Sequence, residues 1–479
     1  MYDVIIIGCG VVGAACAYEL SRYDLSVAVL EKSNDVANGT TKANSAIVHA
    51  GYDPHPGTNM ARLNVEGNRL MPELCKKLDV PFRQSGSHVL AFCEAELETL
   101  KALYARGVQN GVVGMKLLTG DEARAMEPNL SEAVCGSLWA PSAGVISPWE
   151  LTLALIETAV RNGTELYLQS PVTALRQEDG CFTAETPSGT FRAKYVMNAA
   201  GVHCEQIAAM LGCADYAIQP NRGEYYLLDK SEGTRVRSTI FQCPNENGKG
   251  VLVSPTVHGN LIVGPNAVNI SDPDGTENTA EGLAFVREMA FRSVPSIAFR
   301  ENIRNFSGVR ANHPDDDFLI GENRRVSGLY ELAGIKSPGL SSAPAIARDA
   351  AAWLAGKLPL TQKAHFIDTR RRIRFQELSA EEKNALIREN PLYGRVICRC
   401  ETVTEGEIVA AIHSPVPPTT VNGVKRRVGA GMGRCQGGFC GPRVQEILSR
   451  ELGIPMEQIL MDQPGTYILT GETKGGAHK

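Results

Sequence analysis

Four consecutive apolar residues, Val4 to Ile7, give way to a glycine turn, an alanine-rich apolar stretch, and a second run, Val27 to Leu30, ending at Glu31. Uninterrupted apolar runs bounded by glycine predict buried strands, so residues 3 to 31 read as a βαβ unit. From about residue 60 to 150 the apolar positions recur at helical spacing, as in MARLNVEGNRLMPELCKKL and EAELETLKALYARGVQNG. That spacing predicts amphipathic helices. Between about 165 and 330, short apolar runs alternate with Gly, Pro and Asn turns, and PNRGEYYLLD, GKGVLVSPTVHGNLIVGP and SGVRANHPDDDFLIG predict a mixed sheet. A buried strand returns at Leu329 to Ala333, followed by glycine turns and a helix from about Ser341 to Leu354 with Pro344 in its first turn.

After Gly356 the pattern changes: Arg370, Arg371, Arg372 and Arg374, then SAEEKNALIREN, predict a polar linker with one helix over residues 357–393. Residues 394–455 read as a separate small helical unit and 456–479 as a tail. The fold class is therefore α/β: a Rossmann-like dinucleotide-binding part interleaved with a mixed-sheet substrate part over 1–356, plus a small C-terminal domain. A chain of 479 residues exceeds one ordinary core, which agrees with this division.

A net charge of -5 gives no global reason to expect nucleic acid or an anionic membrane as partner. No run approaches the roughly 18 uncharged apolar residues that cross a bilayer, and no basic leader precedes Asp3. The expectation is a cytoplasmic chain, peripheral to a membrane only through a partner. Most of the thirteen cysteines are scattered, but Cys398, Cys400, Cys435 and Cys440 cluster near the end.

In IIIGCGVVGAACAYEL, Gly8 makes the tight turn after a strand, Gly10 lets a pyrophosphate approach the backbone, and Gly13 lets helix and strand pack closely. The helix N-terminus then faces phosphate, and Glu31 can accept hydrogen bonds from ribose hydroxyls. The fingerprint serves FAD and NAD alike. Two segments favour FAD: VMNAAG, an apolar strand ending at Gly201 that resembles the strand closing over the cofactor in two-dinucleotide-binding flavoproteins, and GIKSPGLSSAPAIARDAAAWL, whose helix begins near Gly339 and Leu340. A helix N-terminus there would oppose the pyrimidine end of an isoalloxazine and favour its negative charge. Lys336, in the turn before that helix, can add a cation, and a solvated turn lysine fits as well.

With these motifs the chain resembles the D-amino-acid oxidase-like FAD oxidoreductases over about residues 1 to 356. Within them TTKANSAIVHAGYDPHPGT resembles the flavin-contacting loop of glycerol-3-phosphate dehydrogenases and oxidases and of L-2-hydroxyglutarate oxidases. The resemblance implies that Thr40, Thr41, Asn44 and Ser45 run along the pyrophosphate and ribityl chain, and that Val172 meets adenine through its backbone. It also implies that His49 is the base on the substrate side of the flavin, and that Arg310, in the G-x-R of SGVRAN, binds an anionic substrate. An isolated histidine in an apolar run is otherwise more often a core residue. Arg222 and Lys249 are further candidates for substrate contact, each with an ordinary surface role as the alternative.

Cys398-x-Cys400 precedes a helix with the capping-box pattern Thr404-x-x-Glu407, and Cys435-x4-Cys440 lies on a glycine-rich loop entering another helix. Two close thiol pairs suit a metal, with structural zinc as the rival to an iron-sulfur cluster. The segment RVGAGMGRCQGGFCG resembles the bacterioferritin-associated-ferredoxin-like domain, which implies a 2Fe-2S cluster on these four cysteines. Both regions together resemble the catalytic subunits of anaerobic glycerol-3-phosphate dehydrogenases. That resemblance implies an FAD-dependent dehydrogenase of a small anionic substrate, with electrons passing to the cluster and then to an accepting protein subunit. An oxidase or dehydrogenase of an L-2-hydroxy acid, an amino-acid or amine oxidase and a non-catalytic electron-transfer subunit stay open as alternatives.

Overall fold

The computed structural model describes residues 1–244 and 250–471. Strand β1 (Tyr2–Ile7) is followed by helix α1 (Val11–Leu20) and strand β2 (Val27–Leu30), and β1 lies parallel between β2 and β3 (Gly189–Asn198). The strand Leu329–Ala333 adds parallel to β3. The unbroken apolar runs are explained by two covered faces. Val4, Ile6, Val27 and Val29 pack towards α1, the helix Pro148–Arg161 and helix α2 (Gly339–Ala355). Ile5, Ile7, Ala28 and Leu30 face Leu175, Phe182, Phe191 and Ile207 on the other side. Helix α2 begins two residues before its expected start, so Pro344 falls beyond the first turn.

A second, mostly antiparallel sheet is built on β4 (Gln219–Leu228) and β5 (Asn302–Asn312). It takes in Ser87–Ala91 and Gly136–Ala140, two strands inside the stretch expected to be helical. The helices Asn59–Leu78 and Glu94–Gln109 are there as expected, but the strands, one between them and one after them, hide their nature. Ser87, His88 and Ser137 are polar yet buried, and His88 Nδ1 lies 3.0 Å from Ser137 Oγ. Polar side chains at such buried positions remove the apolar signature of a strand covered on both faces.

The segment expected to be a linker is strapped across the first unit. Asp24 N donates to Thr361 O (2.8 Å), Lys363 N to Arg22 O (2.9 Å), and Ile367 N to Asn162 Oδ1 (2.9 Å). Arg370 pairs with Glu157 (2.6 Å) and Arg374 with Asp79 (2.8 Å), which uses the arginine run as anchors. The cysteine unit has its own core of Ile408, Ile412, Val424, Val444 and Leu448, formed where the helix Glu405–Ile412 meets α3 (Val421–Val428) and α4 (Gly441–Leu452). The expected tail partly joins it: Ile459 is fully buried in that core, and Asp462 pairs with Arg426 at 3.1 Å.

Candidate functional site

A cavity of about 2080 Å³ runs from the β1–α1 turn, past the second sheet, to the cysteine unit. That exceeds the ~300–1,000 Å³ of an ordinary ligand pocket and leaves room for a dinucleotide and a substrate together. At its floor Gly8 holds φ +99°, where a Cβ would stand 2.5 Å from Ala199 O; a Cβ on Gly13 would stand 2.0 Å from Gly8 O. Glycine is therefore forced at both positions by close backbone approach. Helix α1 starts at Gly10 without a side-chain cap, leaving its N-terminal end to the cavity, apart from Val11 N, which donates to Thr41 Oγ1 (3.0 Å). These features fit a bound pyrophosphate. Glu31, at the end of β2, accepts from Cys9 N (2.7 Å) and Ser33 N (2.9 Å), so its carboxylate is held in place at the cavity wall.

Thr40, Thr41, Asn44, Ser45, Val172, Gly201, Gly339 and Leu340 also line this cavity. Their side chains do different things. Asn44 donates to Thr41 O (2.9 Å) and accepts from Ala46 N (2.8 Å), holding the turn in which Ala46 takes φ +59°. Thr40 Oγ1 donates to Val309 O (2.6 Å), tying the loop to β5. Val172 sits between Ser170, whose N donates to Glu31 O, and Thr173, whose N donates to Glu185 O, which fixes the loop beside β2. Helix α2 starts without a side-chain cap, with Gly339 and Leu340 at the cavity. Substituting Gly13 by Ala is expected to force strand and helix apart and to yield protein with substoichiometric dinucleotide, measured as cofactor released per chain on denaturation. A wild-type ratio would contradict this account of the turn.

His49 lines the same cavity, with Nε2 3.1 Å from Ser337 Oγ. Its backbone is fixed on both sides: His49 N donates to Ser341 Oγ (2.7 Å), and its carbonyl accepts from Asn64 (2.7 Å) and Asn68 (3.0 Å). Phe241 covers the ring at 5.7 Å between centroids. Arg310 reaches the cavity from β5 and donates to Asn221 Oδ1 and Asn266 O, and among the described residues it pairs with no carboxylate. Two of its five N–H groups are used, which leaves a charged fork for an anion.

Arg222 does not line the cavity. Strand alternation turns it to the opposite face of β4 from Asn221, where it pairs with Glu224 (3.5 Å) and Glu277. Lys336 lines the cavity but is ion-paired with Asp316, so its charge is already balanced. Lys249 lies outside the described residues. Ser337, Asn221, Asn266 and Phe241 are cavity residues that sequence reasoning missed; Ser337 stands next to Lys336 and Asn221 next to Arg222, while Asn266 and Phe241 adjoin no candidate residue.

In the cysteine unit the thiols of Cys400 and Cys435 stand 3.8 Å apart, and those of Cys398 and Cys440 influence each other's protonation. The Cys440 thiol and the backbone N–H groups of Gly431 and Glu401 hold Cys398 down to about 6. The N–H groups of Phe439, Gly437 and Gly438, with the Cys400 thiol, lower Cys435. Among the described residues no three metal-ligating side chains gather round one point. Two thiol pairs, each supplied with amide donors, fit a two-iron cluster with two thiolates per iron better than one tetrahedral zinc. Val428, Gly429, Met432 and Gln436, from the end of α3 and the cysteine loop, form one wall of the long cavity.

Comparison with known proteins agrees with both halves. The family described as FAD dependent oxidoreductase matches residues 3–353, and the BFD-like 2Fe-2S binding domain matches residues 396–450. The chain is 50% identical over 478 residues to a glycerol 3-phosphate dehydrogenase of Caloramator mitchellensis, covering 99% of each chain. It is 30% identical to the human mitochondrial L-2-hydroxyglutarate dehydrogenase, covering 67% of this chain and 80% of that one. A dithionite-reduced L-alpha-glycerophosphate oxidase from Mycoplasma pneumoniae with FAD bound superimposes with a TM-score of 0.74 at 30% identity, over 77% of this chain and 98% of that one.

Proposed function

The chain belongs to the FAD-dependent oxidoreductases, and from that premise we propose that it oxidises sn-glycerol 3-phosphate to dihydroxyacetone phosphate and passes the electrons through its cysteine domain to a partner protein. The observation that carries the substrate reading is Arg310, a cavity cation that meets no carboxylate among the described residues, in a cavity shared with His49 and the dinucleotide cradle. The full-length likeness to a glycerol 3-phosphate dehydrogenase supports the same reading.

Bound FAD supplies a two-electron acceptor for the carbon-bound hydrogen, and a 2Fe-2S cluster supplies a one-electron carrier beyond it. The protein's own part begins with Arg310, whose fork holds the phosphate while Asn221 and Asn266 fix its plane. His49 accepts the proton of the C2 hydroxyl at Nε2, oriented by Ser337 and by the hydrogen bonds on its backbone. The uncapped start of α2 would favour negative charge on a cofactor bound beside Gly339 and Leu340.

The test is anaerobic mixing of the purified protein with glycerol 3-phosphate, L-2-hydroxyglutarate, L-lactate and amino acids, followed at the flavin absorbance band. Rapid bleaching by glycerol 3-phosphate alone is expected. Preferential bleaching by L-2-hydroxyglutarate would transfer the assignment to a hydroxy acid. In the same assay Arg310→Ala is expected to raise the half-saturating substrate concentration on the order of 10- to 100-fold, the worth of a charge-assisted hydrogen bond to an anion. An unchanged half-saturation would remove Arg310 from the substrate site.

A further inference from the structure

We infer that Asp35 is the positioning residue that clasps the cysteine domain against the flavin unit, and that this clasp and FAD occupancy reinforce each other through one loop. The inference rests on the proposed passage of electrons between the two sites. The Asp35 carboxylate accepts from Arg427 Nη1 and Nη2, both at 2.9 Å, and from Arg426 Nη2 at 3.1 Å. Burial alone would raise this carboxyl, but the two guanidiniums outweigh it and hold it at about 2. Arg427 is rigid on its own side, since Nε and Nη2 donate to Val416 O (3.0 and 2.8 Å) and Nη1 to Gly423 O (3.0 Å).

Two further ion pairs between the units are of a different kind. Lys230–Glu401 (2.8 Å) and Arg434–Glu301 (2.9 Å) each have one side chain largely in water, 42% and 65% exposed, where such pairs contribute little. Asp35 and Arg427 are 4% and 3% exposed, so losing one partner strands a buried charge. Helix α3, which carries Arg427, ends in the Val428–Gly429 wall of the cavity and leads directly into the loop bearing Cys435 and Cys440. Holding α3 therefore sets the distance from the flavin cavity to the thiols, on which electron transfer depends steeply.

The clasp rides on the loop that follows β2. Glu31, Ser33, Asn34, Asn38 and Lys42 of this loop line the dinucleotide cavity, while Asn34 Nδ2 donates to Asp462 O (2.7 Å) and Lys42 Nζ stands 3.6 Å from Asp462. A loop ordered from one side by FAD and from the other by the cysteine domain couples the two, and coupling between binding events is reciprocal.

The experiment uses full-length protein carrying Asp35→Asn, with Arg427→Lys as a milder variant that keeps the charge but loses the fork. FAD affinity is measured by titrating apoprotein. Separately, at saturating FAD and with iron content verified, flavin bleaching and cluster reduction by glycerol 3-phosphate are timed in one anaerobic stopped-flow trace. For Asp35→Asn the FAD dissociation constant is expected to rise and cluster reduction to slow, each by about 10-fold or more within the usual span of coupling energies, while flavin bleaching stays near wild type. Arg427→Lys should fall between. Wild-type FAD affinity and wild-type cluster reduction in both variants would overturn the clasp. If glycerol 3-phosphate fails to bleach the wild-type flavin, the proposed substrate fails, and the FAD titration alone still decides the clasp.

Discussion

Replacing His49 by Ala is expected to slow flavin bleaching by saturating substrate about 10²- to 10⁴-fold, the usual cost of a lost general base, with substrate binding changed far less. The asymmetry follows from what each group touches. In the proposed reaction Arg310 offers a fixed charge that an anion meets on binding, whereas His49 offers an atom that matters only when the hydroxyl proton moves. His49 is held by three backbone hydrogen bonds made with Ser341, Asn64 and Asn68, none of which needs its ring. Alanine should therefore leave the loop in place, and a fall in rate would report chemistry rather than unfolding. Unchanged bleaching in stopped flow would remove His49 from the reaction.

Replacing Cys435 by Ser is expected to cost the chain most of its iron, to leave flavin bleaching by substrate intact, and to collapse turnover with a protein acceptor. Cys435 pairs with Cys400 at 3.8 Å and gathers three backbone N–H groups. A serine oxygen at that position is a harder donor, poorly suited to an iron-sulfur cluster. The flavin unit is spared because its cores, built on β1 and on the second sheet, contain none of the four cysteines. The Asp35–Arg427 contact also stands outside the cysteine loop, so FAD should be retained. Iron analysis and flavin bleaching on one preparation check both halves, and full iron with full turnover would refute the assignment of Cys435.

Local chemistry made the two cofactor regions legible in the sequence. Gly13 is demanded by the nearby carbonyl of Gly8 within the same short motif, and the cysteine pairs announce themselves by spacing. What stayed hidden depends on register and on distant partners. Arg222 stood as a further candidate beside Arg310 until the pairing of Asn221 with Arg310 and of Arg222 with Val309 showed which face each strand position takes. Buried Ser87, His88 and Ser137 disguised central strands as polar segments. The arginines at 370 to 374 read as a solvated linker because their partners, Glu157, Glu150 and Asp79, lie more than two hundred positions earlier. Asp35 and Arg427, 392 positions apart, gave no sign of each other.

The most direct test of the account is a single anaerobic turnover of the wild-type holoprotein with one equivalent of glycerol 3-phosphate, followed at the flavin band and then frozen for low-temperature EPR. The account predicts rapid loss of flavin absorbance followed by the signal of a reduced 2Fe-2S cluster from the same sample. A bleached flavin beside a cluster that stays oxidised, or no bleaching at all, would contradict it.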